Sequence, residues 1–374
     1  MERDAPSLQT IVREWGRIGC IGFGGPPMHI ALLRELCVDR RRWLDASEFE
    51  DAIAACNLLP GPASTQLAIY CAWRLRGAAG GVAGGLAFIV PGLVLILGLA
   101  AVFLANAPPE WIRGAAAGAG AGVAAVAVQA GLALAPASRA RARSLLRWLV
   151  YAALGGVAAA TIGPWLVLVL LGCGVAEIAF RSSRTLVVLP LLAAPTGGLG
   201  ALSWVAFKVG ALSYGGGFVI VPLMQSDAVH HYHWLTDGQF LNAVALGQIT
   251  PGPVVHTVAA VGYAAGGVGG GLLAALVAFS PSFVFVLGGG RRFGALRTNE
   301  HARAFLDGAG PAAIGAILGS AIPLASALGP WWQFVLLAVA AVLLLVLRRG
   351  VVVTLVGLGV VGALLAATHA VTVS

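Results

Sequence analysis

Charge is scarce in this chain. Of 374 residues only 10% are Asp, Glu, Lys or Arg, 59% are hydrophobic, and Lys208 is the one lysine among 23 basic residues. So apolar a composition excludes a soluble globular fold and implies a polytopic membrane protein in contact with a lipid bilayer. The apolar runs hold no pair of acids at helical spacing, and the chain has no H-E-x-x-H. The competing function class, a membrane-embedded enzyme acting on lipid phosphates, needs a nucleophile–base pair or a metal cluster, so it finds no support. The chain is not expected to be an enzyme. The five cysteines, Cys20, Cys37, Cys56, Cys71 and Cys173, form no CxxC or CxxxC pair, and four lie in apolar runs. They read as small packing residues, so no metal and no cofactor is expected. His230-His231-Tyr232-His233 reads as an exposed polar loop. The net charge of +8 suggests nucleic acid in a soluble protein. In a membrane protein basic loops mark the cytoplasmic face, and no nucleic-acid partner is expected. The first ten residues are polar and mixed in charge, so no cleavable signal peptide is expected.

Apolar runs are abundant, at about 10–33, 50–73, 79–105, 113–135, 145–162, 164–180, 186–203, 204–226, 241–264, 268–289, 305–327, 331–347 and 350–369. Two of them are interrupted. Pro60-Gly61-Pro62 stands inside 50–73 and Pro251-Gly252-Pro253 inside 241–264. Proline removes a backbone donor and clashes with the preceding turn, so no helix runs smoothly through either motif. At bilayer depth such a break survives only where protein or a polar cavity surrounds it.

The interruptions belong to a duplication. Shifted by 191 residues, Gly19 meets Gly210, Gly24-Gly25 meets Gly215-Gly216, Trp43-Leu44 meets Trp234-Leu235, Phe49 meets Phe240, and one Pro-Gly-Pro meets the other. Phe88 to Pro91 then meets Phe279 to Pro281 after a small gap. The chain therefore divides into two homologous halves, 1–183 and 184–374. Paired Gly/Pro-broken segments in corresponding halves point to a transporter binding site.

Gly22-Phe23-Gly24-Gly25-Pro26 with His29 behind it, then Trp43, Phe49 and Leu59 to Gln66, resembles the chromate ion transporter family. So does the second set, Tyr214 to Gly217, Pro222, Trp234, Phe240 and Gln248 to Pro253. Two copies in one chain match the family's long, two-domain form. The resemblance implies secondary transport of a tetrahedral oxyanion: chromate leaving the cytoplasm, sulfate as a related substrate, proton coupling as an option. The copies differ where Cys71 faces Gly262 and Pro26 faces Gly217.

Charge predicts the topology. If the broken segments dip in and return, and the halves are inverted, a cytoplasmic N-terminus in the inner membrane puts all Lys and Arg but Arg113 and Lys208 inside, 21 of 23. Full crossing of the broken segments leaves 17 inside. The expected fold is thus all-α and polytopic, with two antiparallel repeats, re-entrant broken helices and a homodimer as one possible assembly.

An oxyanion site needs donors and positive potential without a deep charge trap. Helix N-termini supply both. Ser64, Thr65 and Gln66 open a helix after Pro62, and His256 follows Pro253. A hinge or a close helix crossing is the structural alternative. Gly24 and Gly25, with Gly215 and Gly216, offer a close backbone approach, or simple helix packing. His29 can donate to an anion, take a proton, or be a packed residue. Asn57 and Gln248 share a repeat position and can bind substrate or satisfy loosened backbone. Arg17 and Lys208 share another and can attract anions, or snorkel to the headgroups.

Overall fold

The computed structural model describes residues 6–59, 61–105, 108–161, 165–181, 197–213, 218–289 and 299–371. Among them every regular element is a helix. The expected boundary between the halves at 183/184, and most of the apolar run 186–203, lie outside the described residues.

The first half begins with α1 (Leu8–Ile21), α2 (Pro26–Arg34), α3 (Ala46–Cys56) and α4 (Ala63–Phe103). Helix α1 runs inward beside α4. A Cβ on Gly84 would lie 3.2 Å from Ile11, and one on Gly19 would lie 2.6 Å from the Phe88 carbonyl oxygen. Such contacts leave room for nothing larger than glycine, so the two backbones nearly touch. The chain bends at Gly22 to Gly25 and comes back. Arg40 and Arg41 bond Glu14 at 2.9 and 3.0 Å, and Trp43 stacks on Trp15 with centroids 6.5 Å apart. Residues 40–43 are therefore level with residues 14–15, and the segment re-enters on the side it left.

The second dip is built the same way. Helix α3 goes in and stops at Asn57. The first limb of α4 comes back to where Arg74 pairs with Glu48, and Arg76 Nε donates to the Pro6 carbonyl at 2.7 Å. Helix α4 is itself a hairpin, because Arg76 and Gly77 have non-helical backbone, with φ +60° at Gly77. Only its second limb, residues 78–103 and about 39 Å long at 1.5 Å per residue, spans a bilayer core.

The second half repeats this as α9 (Gly198–Leu212), α10 (Ile220–Gln225), α11 (Asp237–Ile249), a 3-10 turn (Val254–His256) and α12 (Thr257–Gly289). Helix α12 is kinked at Gly266 and Gly267 with nearly the same angles as α4, which fixes the offset here at 190 (267 minus 77). Residues 198–203, expected within a separate crossing, instead form the start of the re-entrant α9.

The long limbs cross antiparallel. Gly81 faces Leu287, Gly85 faces Phe283, and Gly271 faces Leu97. Adding 190 to 81 and subtracting it from 287 turns the first pair into the third. The contact thus obeys a two-fold axis across the helices, near Ile89 and Phe279. Inverted repeats follow from these pairs without appeal to charge. The kinks then lie on opposite faces. In a Cys-free background, Asp39→Cys and His231→Cys, both at exposed positions, should react with an impermeant maleimide from opposite sides. Labelling from one side would contradict the antiparallel crossing.

Around this centre stand α5 (Glu110–Ala121), α6 (Val123–Arg141), α7 (Leu145–Thr161), α8 (Leu166–Arg181), α13 (Glu300–Ser326), α14 (Trp331–Ala341) and α15 (Val351–Ala367). Glycines again set the spacing. A Cβ on Gly315 of α13 would lie 1.8 Å from the Ala152 carbonyl of α7, and one on Gly118 of α5 would lie 2.3 Å from that of Leu358 on α15. Glu177, buried between α7, α8 and α13, is held by Arg147, Arg181 and Tyr151 rather than left unpaired. All five cysteines are free, and all but Cys20 are buried.

Candidate functional site

Both breaks lie at the level of the two-fold axis. The first break faces the other half: a Cβ on Gly61 would meet Ser282 Oγ at 3.3 Å and the Gly210 carbonyl at 3.4 Å. The second does likewise, for the Gly252 N–H donates to the Gly22 carbonyl at 3.0 Å. The second break is thus seated on Gly22 at the bend of the first half, and the first break against Gly210 of α9 and Ser282 of α12. Pro91-Gly92 and Pro281-Ser282 are equivalent at the offset of 190, and each pair stands near the middle of its long limb. The breaks accordingly sit midway through the apolar layer, not at one interface.

Helix α4 starts at Ala63, and its first intrahelical bonds run from Thr65 and Gln66 to the Pro62 carbonyl. The N–H groups of Ala63 and Ser64 precede them and point back toward the break. In the second half His256 N–H bonds the Pro253 carbonyl, so the chain tightens into a 3-10 turn before α12. That tightening absorbs one residue. It places Gln66 and His256 in equivalent positions, each over the glycine of its own break: 2.7 Å from a Gly61 Cβ and 3.0 Å from a Gly252 Cβ.

His29 is fully buried and joins the two breaks. Its Nδ1 is 3.2 Å from Ser64 Oγ and its Nε2 is 2.8 Å from the Gly22 carbonyl, the same oxygen that accepts from Gly252. A chain Ser64–His29–Gly22–Gly252 therefore runs from one helix start to the other break. His256 is also fully buried, and neither of its ring nitrogens has a hydrogen-bond partner. The Ile89 backbone approaches it without good bonding geometry. Phe88 meets His29 and Phe279 meets His256 edge-on, at 5.1 and 5.3 Å.

Further buried polar atoms without partners belong to the same region: Thr65 Oγ1, Ser213 Oγ, Gln248 Nε2 and Ser282 Oγ. Ser213 occupies the repeat position of Gly22. Burying an unbonded hydroxyl or amide costs about 1–3 kcal/mol. A cluster of them around two helix starts is what a polar ligand would repay.

The remaining expected residues are spread more widely. Gly24 and Gly25 hold φ of +101° and +73°, and Gly25 lies beside Val254 of the second break. Pro62 and Pro253 precede the two helix starts, while Pro60, Gly215 and Gly216 lie outside the described residues. Asn57 is exposed and caps α3 by its backbone, unlike its buried repeat partner Gln248. Arg17 is exposed on α1, and Lys208 is bonded to Asp227 at 2.5 Å, so a carboxylate holds its charge. Sequence reasoning named Gly22 only as part of its glycine motif and missed Gly92, Ser213 and Ser282. Their signal was their place in the repeat, directly beside residues already matched.

Beside the first break lies an apolar cavity of about 390 Å³, lined by Leu58, Leu59, Leu170 of α8, Asn299, and His301 and Phe305 of α13.

A family model described as "Chromate transporter" matches residues 9–178 and 200–363. A "Chromate transport protein" of Cupriavidus metallidurans is 32% identical over 338 residues, 85% of this chain and 83% of that protein. One of Pseudomonas aeruginosa is 31% identical over 334 residues, covering 83% and 79%. A "Probable chromate transport protein" of Synechococcus elongatus is 28% identical over 337 residues, covering 86% and 85%. No solved structure matches the chain.

Proposed function

The chain belongs to the chromate transporter family, and from that premise we propose that it carries chromate out of the cytoplasm across the inner membrane, with sulfate as a related substrate. The observation that carries the reading is the meeting of two inverted breaks at mid-depth, joined through His29 and surrounded by unpartnered buried donors. A tetrahedral dianion would sit between the starts of α4 and α12. It would take the free N–H groups of Ala63 and Ser64 and the hydroxyls of Thr65, Ser213 and Ser282. An enzyme working on lipid headgroups would instead open its polar groups to one interface, and these lie at the centre.

Charge supports the side assignment. Arg34, Arg40, Arg41, Arg42, Arg74 and Arg76 gather where the first half's hairpins open, which favours a cytoplasmic position for that face and the N-terminus. An inside-negative potential then favours outward movement of a dianion, by about 2.3 kcal/mol per charge for each 100 mV. The apolar cavity between α13 and Leu58-Leu59 is a candidate approach to the first break from that face.

Flux into everted vesicles tests this. Radiolabelled chromate should accumulate when the lumen is made positive, and excess sulfate should compete, with a pH gradient applied or omitted as a separate arm. Failure to accumulate in both everted and right-side-out vesicles would overturn the reading.

A further inference from the structure

We propose that His29 and Ser64 form a proton-operated donor switch for the bound anion, with His256 sharing the proton. The proposal rests on the reading above, in which an oxyanion lies at the start of α4.

In neutral His29 the ring carries one N–H. Nε2 faces the Gly22 carbonyl at 2.8 Å, and a carbonyl can only accept, so the proton is on Nε2. Nδ1 is then a lone pair, and the Ser64 hydroxyl at 3.2 Å must donate to it. The single hydroxyl proton of Ser64 is spent on the ring. When His29 takes a second proton, Nδ1–H donates and Ser64 Oγ accepts. The hydroxyl proton is released to another acceptor. Ser64 is the second residue of α4, and its N–H is one of the free donors at the break. One proton thus supplies the anion with a hydroxyl donor and a nearby positive charge together. A serine hydroxyl rotates about its C–O bond, so neither state leaves the pair unbonded.

His256 completes the arrangement. It stands behind Gly252, whose N–H binds the same Gly22 oxygen as His29. Phe88, Phe279, Gly92 and the Ile89 backbone supply the other neighbours of the two rings. Among the described residues no carboxylate, lysine or arginine acts on either ring, and His29 is the titratable group that acts on His256. A charge on His29 opposes a charge on His256, so the pair takes up no more than one proton. The repeat does not reproduce the switch: Ile220 stands opposite His29 and Gln66 opposite His256. One half contributes the switch and the other the second ring.

Linkage makes the coupling reciprocal: protonation tightens anion binding, and anion binding draws in a proton. Purified full-length protein in weakly buffered detergent, at about pH 7.5 where an ordinary histidine is mostly neutral, should take up about one proton per sulfate bound. Sulfate is the probe because it stays fully deprotonated there; chromate is the second. Anion affinity should fall by about tenfold per pH unit above the switch. His29→Gln should abolish the uptake and flatten the pH profile. Ser64→Ala should weaken binding and flatten the profile with an unchanged thermal melt. Binding without proton uptake, or an intact pH slope in His29→Gln, would overturn the switch while leaving the transport reading standing. Failure of either anion to bind wild-type protein at any pH would overturn the transport reading itself.

Discussion

Gly92→Ala should abolish chromate transport while the protein still reaches the membrane in normal amount. Gly92 lies inside the long limb of α4, where alanine favours the helix by about 1 kcal/mol over glycine. The helix itself gains. What loses is the neighbour: the new Cβ would stand 2.2 Å from the Pro251 carbonyl oxygen and 2.7 Å from His256 Cε1. A backbone carbonyl cannot turn aside as a side-chain tip can, so the second break must move away from the axis. A displacement near 1 Å at a site built on positioned donors costs on the order of a hundredfold in rate. The equivalent Ser282 already carries a side chain, its Oγ 3.3 Å from where a Gly61 Cβ would stand, and Ser282→Ala, which only shortens that side chain, should be far milder. Chromate flux per immunodetected molecule decides the matter. Normal flux in Gly92→Ala would mean that the second break is not where the anion passes.

The re-entrant, inverted plan was legible because it leaves marks in one dimension. The Pro-Gly-Pro pairs, the shared register from Gly19 to Gly252, and an Arg-rich loop facing a loop without Lys or Arg each carry it. What escaped was what depends on a slip of one residue. The register is 191 through the breaks and 190 at the kinks, and the slip falls in the turn after Pro62 and Pro253. Read at 191, His256 faces Thr65. In space it faces Gln66, which changes what the two sites have in common. The pairing of Lys208 with Asp227 escaped for a different reason: the bond closes a hairpin, and no spacing in the sequence reports where α10 returns. His29 was visible as a polar residue in an apolar run. That it links Ser64 to Gly22, and through Gly22 to the other half, needed coordinates.

The two break glycines should act on one anion. Gly61 and Gly252 hold φ of +120° and +91°, where a side chain is strained by roughly 1–2 kcal/mol. A Cβ at Gly61 would also press on Gln66 Nε2 at 2.7 Å, and one at Gly252 on His256 at 3.0 Å. Gly61→Ala should therefore misdirect the start of α4, and Gly252→Ala the turn that leads into α12. A partly buried helix start contributes up to ~2 kcal/mol to an anion, and 1.4 kcal/mol is a factor of ten. Each substitution should weaken chromate binding about tenfold, and the pair by about a hundredfold if the two dipoles act separately. A smaller combined loss would measure how far the Ser64–His29–Gly22–Gly252 chain makes the breaks one unit. The measurement is chromate affinity of the two single variants and the double, each checked for a native melting profile. Near-wild-type affinity in both single variants would reduce the breaks to hinges. The unpartnered hydroxyls of Ser213 and Ser282 would then have to hold the anion without help from the helix starts.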